Sequence, residues 1–339
     1  MTKMRAMVVQ QRGGPFVAEE RDIPVPGPEE IRIRVQACGV CHSDSVTVQQ
    51  LFPFIKFPRV PGHEVVGLVD ALGPGVKGFK IGERVGVGWF GGSCGYCGHC
   101  RRDTGFACEN IHDVTGLSRD GGYATHMIAL ATAVAHSPDG LDPVESAPLL
   151  CAGVTTFNAL RHTGAGPGDV VAVHGVGGLG HLGIQFASRQ GFRTVAVNRG
   201  RDKEELARKL GASDYIDSAA ENPAKALTAM GGARAILATV TSGPAMQALA
   251  GGLGANGVMM VIGVVGPLTV NSLDLLAKRA SVKGWYSGIA RDSEDTLQFS
   301  LRNKVASMNE IYPFEKAQEA YERMMSGKAR FRVVLKMDA

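Results

Sequence analysis

The order of apolar and polar residues changes character near the middle of the chain. In the first part, short strand patterns alternate with turns rich in glycine and proline, and residues 31–35 alternate apolar and polar side chains strictly. That period of two is typical of a strand with one buried face. Similar short patterns at 6–9, 64–69 and 84–88 complete the prediction of a small, β-rich first domain.

After Cys151 the pattern becomes a regular alternation of buried strands and helices. The strand patterns lie at 170–173, 194–197, 235–238 and 258–262, and the helical patterns at 182–190, 203–210, 245–250 and 274–279. Such alternation predicts a parallel, doubly wound sheet. Beyond residue 287, two more helical patterns, at 292–301 and 317–325, precede a last strand at 331–335.

Composition describes an ordinary globular protein and argues against several functions. The 339 residues are enough for two domains, and 45% hydrophobic with 20% charged residues is a usual balance. The net charge of +4 comes without a concentrated basic run, which argues against nucleic-acid binding. No apolar run reaches the roughly 18 residues of a membrane span, and no signal-type segment follows the first residues. We therefore expect a cytoplasmic protein that binds neither nucleic acid nor membrane.

Seven cysteines in a reducing compartment indicate metal ligands rather than disulfides. Four of them form a glycine-rich lobe at about residues 91–110, and these four are Cys94, Cys97, Cys100 and Cys108. Gaps of two residues let a chain wrap a tetrahedral ion, so this four-cysteine lobe predicts a structural zinc site. Four unconnected thiols are the alternative, and His99 is interpreted as a solvated loop residue.

A second set of candidate ligands is spread along the sequence. Cys41-His42-Ser43-Asp44 combines a thiol, an imidazole, a hydroxyl and a carboxylate, and His63-Glu64 and Cys151 follow downstream. Three protein ligands with one open position is how catalytic zinc is held. Spacing alone does not show that these residues converge, and each ligand has the alternative of an ordinary turn or core residue. Cys38 is assigned that ordinary role.

A glycine loop marks the candidate nucleotide site. The loop consists of Gly175, Gly177, Gly178, Leu179 and Gly180. It matches GxGxxG between a predicted strand and a predicted helix, the context that dinucleotide binding requires. The next strand ends at Asn198, where an NAD-specific site carries an acidic residue. Arg199 and Arg201 follow instead and favour NADP(H), because they would bind its 2′-phosphate. The alternative is that both arginines are solvated and Asn198 bonds the ribose of NAD.

With these motifs in place, the chain resembles the zinc-dependent medium-chain alcohol dehydrogenases along nearly its whole length. Within that family it is most similar to bacterial alcohol dehydrogenases and to the aldehyde-reducing cinnamyl-alcohol branch. The resemblance implies an α/β fold with a GroES-like β-rich catalytic domain, residues 1–151 and 287–339, and a Rossmann domain with a doubly wound parallel sheet, residues 152–286. It also implies two zinc ions per chain and a homo-oligomer, either a tetramer or a dimer.

The resemblance also implies roles for individual residues. Cys41, His63 and Cys151 would bind the catalytic zinc, and Ser43 would pass on the proton of the substrate. The other implied roles are Asp44 and Glu64 beside the metal site, His42 and Arg332 at the cofactor phosphates, and Thr155 near the nicotinamide. Many relatives carry a histidine where this chain has Val46, so either water or the cofactor ribose would carry the proton on from Ser43.

The predicted function is reversible hydride transfer between a small primary or secondary alcohol and a nicotinamide cofactor, with NADP(H) favoured over NAD(H). Four residues are predicted to wall an apolar substrate pocket, with plain core positions as the alternative: Leu51, Phe52, Trp89 and Phe90. One rival hypothesis is a non-enzymatic zinc protein that uses its Rossmann domain as a redox sensor and needs a single zinc. The other is a zinc-free quinone reductase, against which the Cys41, His63 and Cys151 set argues.

Overall fold

The computed structural model describes residues 3–102 and 104–337. The chain divides into two compact units, of which the first comprises Met1–Cys151 and Gly288–Ala339 and the second Ala152–Ser287. Within the described residues, no helix has the length and apolar character needed to cross a membrane.

Strands dominate the first part of the chain. The elements are β1 (Lys3–Val9), β2 (Phe16–Asp22), β3 (Glu30–Val40), α1 (Asp44–Val48), β4 (Val65–Leu72), β5 (Arg84–Val87), β6 (His126–Leu130), β7 (Val134–His136) and α2 (Pro143–Ser146). Single 3₁₀ turns lie at Cys100–Arg102, Gly105–Ala107, Ala131–Ala133 and Ala147–Leu150. In β3, half-buried and buried residues alternate as far as Gln36, and every residue from Ala37 onward is buried. The end of β3 therefore lies inside the first unit.

The second unit alternates helices and strands. Its elements are α3 (Ala152–Arg161), β8 (Val170–His174), α4 (Gly180–Arg189), β9 (Arg193–Asn198), α5 (Glu204–Lys209), β10 (Asp214–Asp217), α6 (Pro223–Ala229), β11 (Ala233–Ala238), α7 (Gly243–Ala250), β12 (Leu253–Val261), α8 (Ser272–Lys278) and β13 (Ser281–Gly284). The strands pair in parallel in the order β10-β9-β8-β11-β12-β13. Apolar side chains such as Ala172, Ile236 and Met259 form the core on one face. The predicted parallel, doubly wound sheet is confirmed.

The last part of the chain belongs to the first unit. It contains α9 (Ala290–Asn303), β14 (Asn309–Pro313), a 3₁₀ turn at Phe314–Lys316, α10 (Ala317–Met325) and β15 (Arg332–Lys336). β15 pairs antiparallel with the end of β3 in a sheet of order β14-β15-β3-β4-β5-β7, and β6 also pairs with β3. β1 and β2 form a separate antiparallel pair. Both ends of the chain thus contribute to one core, with Ile31, Val65 and Val333 among its members.

Candidate active site

Two neighbouring strands bring the first candidate ligands together. Cys41 follows the last residue of β3, and His63 and Glu64 precede the first residue of β4. The strands pair antiparallel, and Gly39 N donates a hydrogen bond to Glu64 O at 2.9 Å. This register places the end of β3 beside the start of β4. Cys151 follows a 3₁₀ turn far along the sequence, so its approach depends on tertiary packing.

Cys41, His63, Glu64 and Cys151 each offer a ligand atom, and these atoms all lie within 4.8 Å of one another. His63 is fully buried, and its Nε2 has no hydrogen-bond partner in the part of the chain that the structure describes. Buried polar atoms are normally paired, and an imidazole nitrogen beside two thiols is a donor set that zinc prefers. The residues present therefore fit a tetrahedral metal ion with a position left for another ligand.

The two thiols of this cluster act as a pair. Cys41 Sγ lies 3.8 Å from Cys151 Sγ. The hydrogen bond between them holds the pKa of Cys41 well below its ordinary value, although burial opposes this, and His63 adds to the effect. The same hydrogen bond, together with burial, raises the pKa of Cys151. The two thiols therefore differ in acidity, and a divalent cation bound here would favour the thiolate form of both.

Asp44 orients the imidazole of His63. Asp44 Oδ1 lies 3.1 Å from His63 Nδ1, and Asp44 Oδ2 accepts hydrogen bonds from Cys41 N at 2.8 Å and from the Tyr123 hydroxyl at 2.9 Å. Burial lowers the pKa of His63, but the charge and hydrogen bond of Asp44 outweigh it, so the net shift is upward. A carboxylate at Nδ1 keeps a proton there and leaves Nε2 free to bind a metal.

Glu64 and Arg332 form a buried ion pair in the first unit. Arg332, the first residue of β15, donates to Glu64 Oε1, and neither side chain is more than 9% exposed. Burial raises the pKa of Glu64 to about 8, although the charge of the adjacent guanidinium opposes the shift. Gly39 is needed beside this pair, because a Cβ there would overlap the Glu64 carboxylate. The residue predicted to reach cofactor phosphates from the tail is thus paired with Glu64.

The rest of the first ligand segment is more accessible. Ser43 is half-buried at the start of α1, and its hydroxyl makes no hydrogen bond to the residues described. His42 is exposed, and Val46 is half-buried in the middle of α1. A hydroxyl with free hydrogen-bonding capacity therefore lies two residues from Cys41 in the sequence.

The four predicted pocket residues lie in different surroundings. The Trp89 ring packs edge-on against His63, with the ring centroids 4.9 Å apart. Leu51 and Phe52 are exposed, whereas Phe90 is buried. An apolar wall beside the candidate metal site is therefore best represented by Trp89.

The sulfur atoms of the four-cysteine lobe also converge within 4.8 Å, and Cys97 Sγ lies 3.4 Å from Cys100 Sγ. Burial raises the pKa of Cys94, but hydrogen bonds from the Tyr96 backbone and the Asn110 side chain lower it to about 6. Such bonds favour the thiolate, which is the form that binds zinc. The lobe therefore fits a closed tetrahedral ion.

Cys38 and His99 are not part of either ligand group. Cys38 is fully buried, and its thiol donates to Gly39 O at 3.5 Å. His99 Nδ1 lies 3.3 Å from Thr104 Oγ1. Each side chain therefore has a partner of its own near its position in the chain.

The glycine loop of the second unit joins β8 to α4, and Gly178 and Leu179 form its last turn before the helix. Gly175 has a φ of +99°, and a Cβ there would lie 2.8 Å from a methyl carbon of Val240. A Cβ at Gly180 would overlap Gly175 O, so the helix can begin this close to the strand only with glycine. At Gly177 a Cβ would meet no atom within 4 Å. Open space over a backbone at a helix N-terminus fits a pyrophosphate.

The segment after β9 carries the candidate determinants of cofactor preference. Asn198 Oδ1 accepts a hydrogen bond from Val176 N at 3.3 Å. Arg199 is exposed and forms no ion pair with any described residue. Arg201 forms an ion pair with Glu204 at 2.8 Å. Elsewhere in this unit, Thr155 is buried near the start of α3.

Two residues at these sites are absent from the sequence-based predictions. Lys203 Nζ donates to Val176 O of the glycine loop at 2.9 Å. Lys203 continues the basic pattern of Arg199 and Arg201, so a slightly wider view of that segment would have found it. Tyr123 bonds to Asp44 across 79 residues of sequence, and no local pattern indicates such a contact.

Comparisons with known proteins agree with this arrangement. The family model described as alcohol dehydrogenase GroES-like domain matches residues 27–139, and the model described as zinc-binding dehydrogenase matches residues 178–302. The alcohol dehydrogenase patD of Penicillium expansum is 42% identical, covering 97% of this chain and 96% of its own length. An alcohol dehydrogenase of Geobacillus stearothermophilus is 36% identical, covering 99% and 100%. The solved structure of the cinnamyl alcohol dehydrogenase SbCAD4 from Sorghum bicolor superposes with a TM-score of 0.85 at 28% identity, covering 99% of this chain and 98% of that one.

Fold and sequence together define a zinc-binding dehydrogenase with a GroES-like domain and a Rossmann domain. The chain belongs to the zinc-dependent medium-chain alcohol dehydrogenase family. The predicted fold class and family are therefore confirmed, and the protein is an oxidoreductase of the alcohol dehydrogenase class.

Proposed function

We propose that this protein interconverts primary or secondary alcohols and their aldehydes or ketones, with two zinc ions per chain and with NADP(H) as its preferred cofactor. The observation that carries the proposal is the buried cluster of Cys41, His63 and Cys151, in which His63 Nε2 has no partner among the described residues. A structural role alone gives no reason to bury an unpaired nitrogen beside two thiols.

Cys41, His63 and Cys151 would hold the catalytic zinc, and the four-cysteine lobe would hold the structural one. When bound, zinc lowers the pKa of an alcohol hydroxyl, and the nicotinamide takes up the hydride. Ser43 accepts the proton of that hydroxyl, which its free hydrogen-bonding capacity allows. Val46 carries no group that can accept a proton, so the half-exposed Ser43 hydroxyl passes the proton to water.

The preference for NADP(H) is supported by charge at the end of β9. An acidic residue there would repel a 2′-phosphate, and this chain has Asn198. Arg199 is exposed without an ion-pair partner among the residues described, so its guanidinium is available for a phosphate. Lys203 adds a second cation, whose ammonium group bonds to Val176 O of the glycine loop.

The substrate class follows from the wall beside the metal ligands. Trp89 presents an aromatic ring against His63, and an apolar wall favours aromatic or aliphatic substrates over sugars. The similarity to a cinnamyl alcohol dehydrogenase supports an aromatic aldehyde as the first substrate to test.

The experiment measures zinc per chain and the initial rates of benzaldehyde reduction with NADPH and with NADH on one purified sample. We expect two zinc ions and faster turnover with NADPH. The variant Cys41→Ser should retain one zinc and lose turnover by about a thousandfold or more, because the metal supplies several kcal/mol of stabilisation.

Cys38→Ser is the matched control, since Cys38 is equally buried, lies three residues away and belongs to neither ligand group. It should keep both zinc ions and most of the activity. One zinc without turnover in the natural protein would instead indicate the redox-sensor class. Two zinc ions with a preference for NADH would contradict the cofactor assignment alone.

A further inference from the structure

The phenol of Tyr123 is held in one place by its surroundings. Tyr123 is fully buried, and its ring packs edge-on against Phe16 with the centroids 5.6 Å apart. On another side it lies against Gly62, which has a φ of +101° and where any Cβ would overlap the ring. The Tyr123 backbone is fixed as well, because its N–H donates to Pro61 O at 3.0 Å. The hydroxyl oxygen therefore has little freedom to move.

That hydroxyl has one hydrogen-bond acceptor among the described residues, Asp44 Oδ2, at 2.9 Å. Phenylalanine would fill the same apolar surroundings, and burying a hydroxyl costs free energy unless it is hydrogen-bonded. The bond to Asp44 is thus the reason to have tyrosine at this position. It joins a ring in the core of the first unit to the carboxylate that contacts His63.

Three donors surround the Asp44 carboxylate, which is 1% exposed. Cys41 N and the Tyr123 hydroxyl donate to Oδ2, and His63 Nδ1 faces Oδ1. A carboxylate held by two donors on one oxygen cannot rotate freely, so the direction of its second oxygen is set. Because His63 Nδ1 bonds to that oxygen, the same contacts orient the imidazole so that Nε2 faces the two thiols.

We propose that Tyr123 is a positioning residue for the metal site, which acts through Asp44 to hold His63 in the orientation that binds the ion. It touches neither the substrate nor the reacting atoms. The proposal rests on the proposed function, in which Cys41, His63 and Cys151 are ligands. It extends the support of the metal site from Asp44 into the hydrophobic core.

The test compares Tyr123→Phe with Tyr321→Phe. Tyr321 also packs edge-on against the Phe16 ring, at 5.2 Å between centroids, and its hydroxyl has no hydrogen bond to the residues described. Both changes remove one oxygen from one aromatic cluster, but only the first removes a bond to Asp44. Purified holoprotein is dialysed against increasing concentrations of a zinc chelator, and the zinc left per chain is measured. The Cys41→Ser protein identifies the release curve of the lobe zinc, since it lacks the other ion.

We expect Tyr123→Phe to release one zinc at about a tenfold lower chelator concentration than the natural protein, the low end of the loss typical when an outer contact of a ligand is removed. The lobe zinc of Tyr123→Phe should be released at the same chelator concentration as in the natural protein. Both zinc ions of Tyr321→Phe should also be released as in the natural protein. In cobalt-substituted protein, the visible absorption bands of the catalytic site should shift in Tyr123→Phe and stay unchanged in Tyr321→Phe.

Natural release curves and an unshifted cobalt spectrum in Tyr123→Phe would overturn the proposal. Earlier release of both ions together would also overturn it, because that result shows a general loss of stability in the first unit. Failure of the proposed function looks different, since the natural protein itself would then carry fewer than two zinc ions.

Discussion

Burial of His174 makes the stability of the second unit depend on pH. His174 ends β8, is 4% exposed, and its Nδ1 has no hydrogen-bond partner among the described residues. Burial lowers the pKa of His174 from 6.5 to about 4. The folded protein therefore keeps the ring neutral at a pH where the unfolded chain takes up a proton. Protonation then favours the unfolded chain, so stability is lost as the pH falls from about 6.5 towards 4.

The loss from this one group should amount to about 2 kcal/mol between pH ~7 and pH ~5. Urea unfolding of the natural protein and of His174→Leu at both pH values measures it, because the difference between the two proteins cancels all other titrations. The difference in unfolding free energy between the natural protein and His174→Leu should change by that amount between the two pH values. An equal pH response of natural protein and His174→Leu would contradict the prediction.

At the scale of elements, two glycines of one loop have opposite reasons to be glycine. A Cβ at Gly180 would overlap Gly175 O, whereas a Cβ at Gly177 would enter open space. Gly180→Ala should therefore destabilise the protein by several kcal/mol, because the start of α4 must move away from β8. Gly177→Ala should unfold at nearly the natural temperature but bind NADPH at least about tenfold more weakly, because the methyl group occupies the place of the pyrophosphate.

Thermal unfolding and NADPH fluorescence titration of the two variants separate these effects. Gly183→Ala in the next turn of α4 is a useful reference, because a Cβ there would make only ordinary contacts at 3.4 Å or more. Undiminished NADPH binding by Gly177→Ala would mean that the pyrophosphate does not lie over this residue.

In the second unit, the strands that the apolar pattern predicts are those buried on both faces. β8, β9, β11 and β12 form the middle of the six-stranded sheet, and their apolar runs are plain in the sequence. The two outer strands, β10 and β13, were missed, since each has four residues without an apolar run: β10 is DYID with two half-buried and two buried residues, and β13 is SVKG with no buried residue. The pattern detects continuous apolar runs, and these short edge strands carry polar residues at most of their positions.

The same limit applies to the candidate sites. The four-cysteine lobe is local, so its spacing predicts its geometry, and the glycine loop lies between a strand and a helix as its motif requires. The approach of Cys151 to Cys41 spans 110 residues, and only the resemblance to a family implied it. Tyr123 lies outside both kinds of signal, because its role comes from a contact between distant segments and from no motif.

At the scale of the whole molecule, the two proposed zinc ions should have different effects on the folded chain. Most described residues of the four-cysteine lobe are half-buried or exposed, and Tyr96 and Phe106 are more than half exposed. Its shape therefore depends on the ion, whereas Cys41 and His63 lie beside the strands of a packed core.

Removing both ions with a chelator should open the lobe, and trypsin should then cut after the exposed Arg101 or Arg102. Mass spectrometry of the fragments identifies the cleavage site. Cys41→Ser keeps the lobe zinc, so we expect it to resist trypsin as the natural protein does. Equal cleavage of Cys41→Ser and of chelated protein would show that the catalytic cluster, and not the lobe, orders this segment.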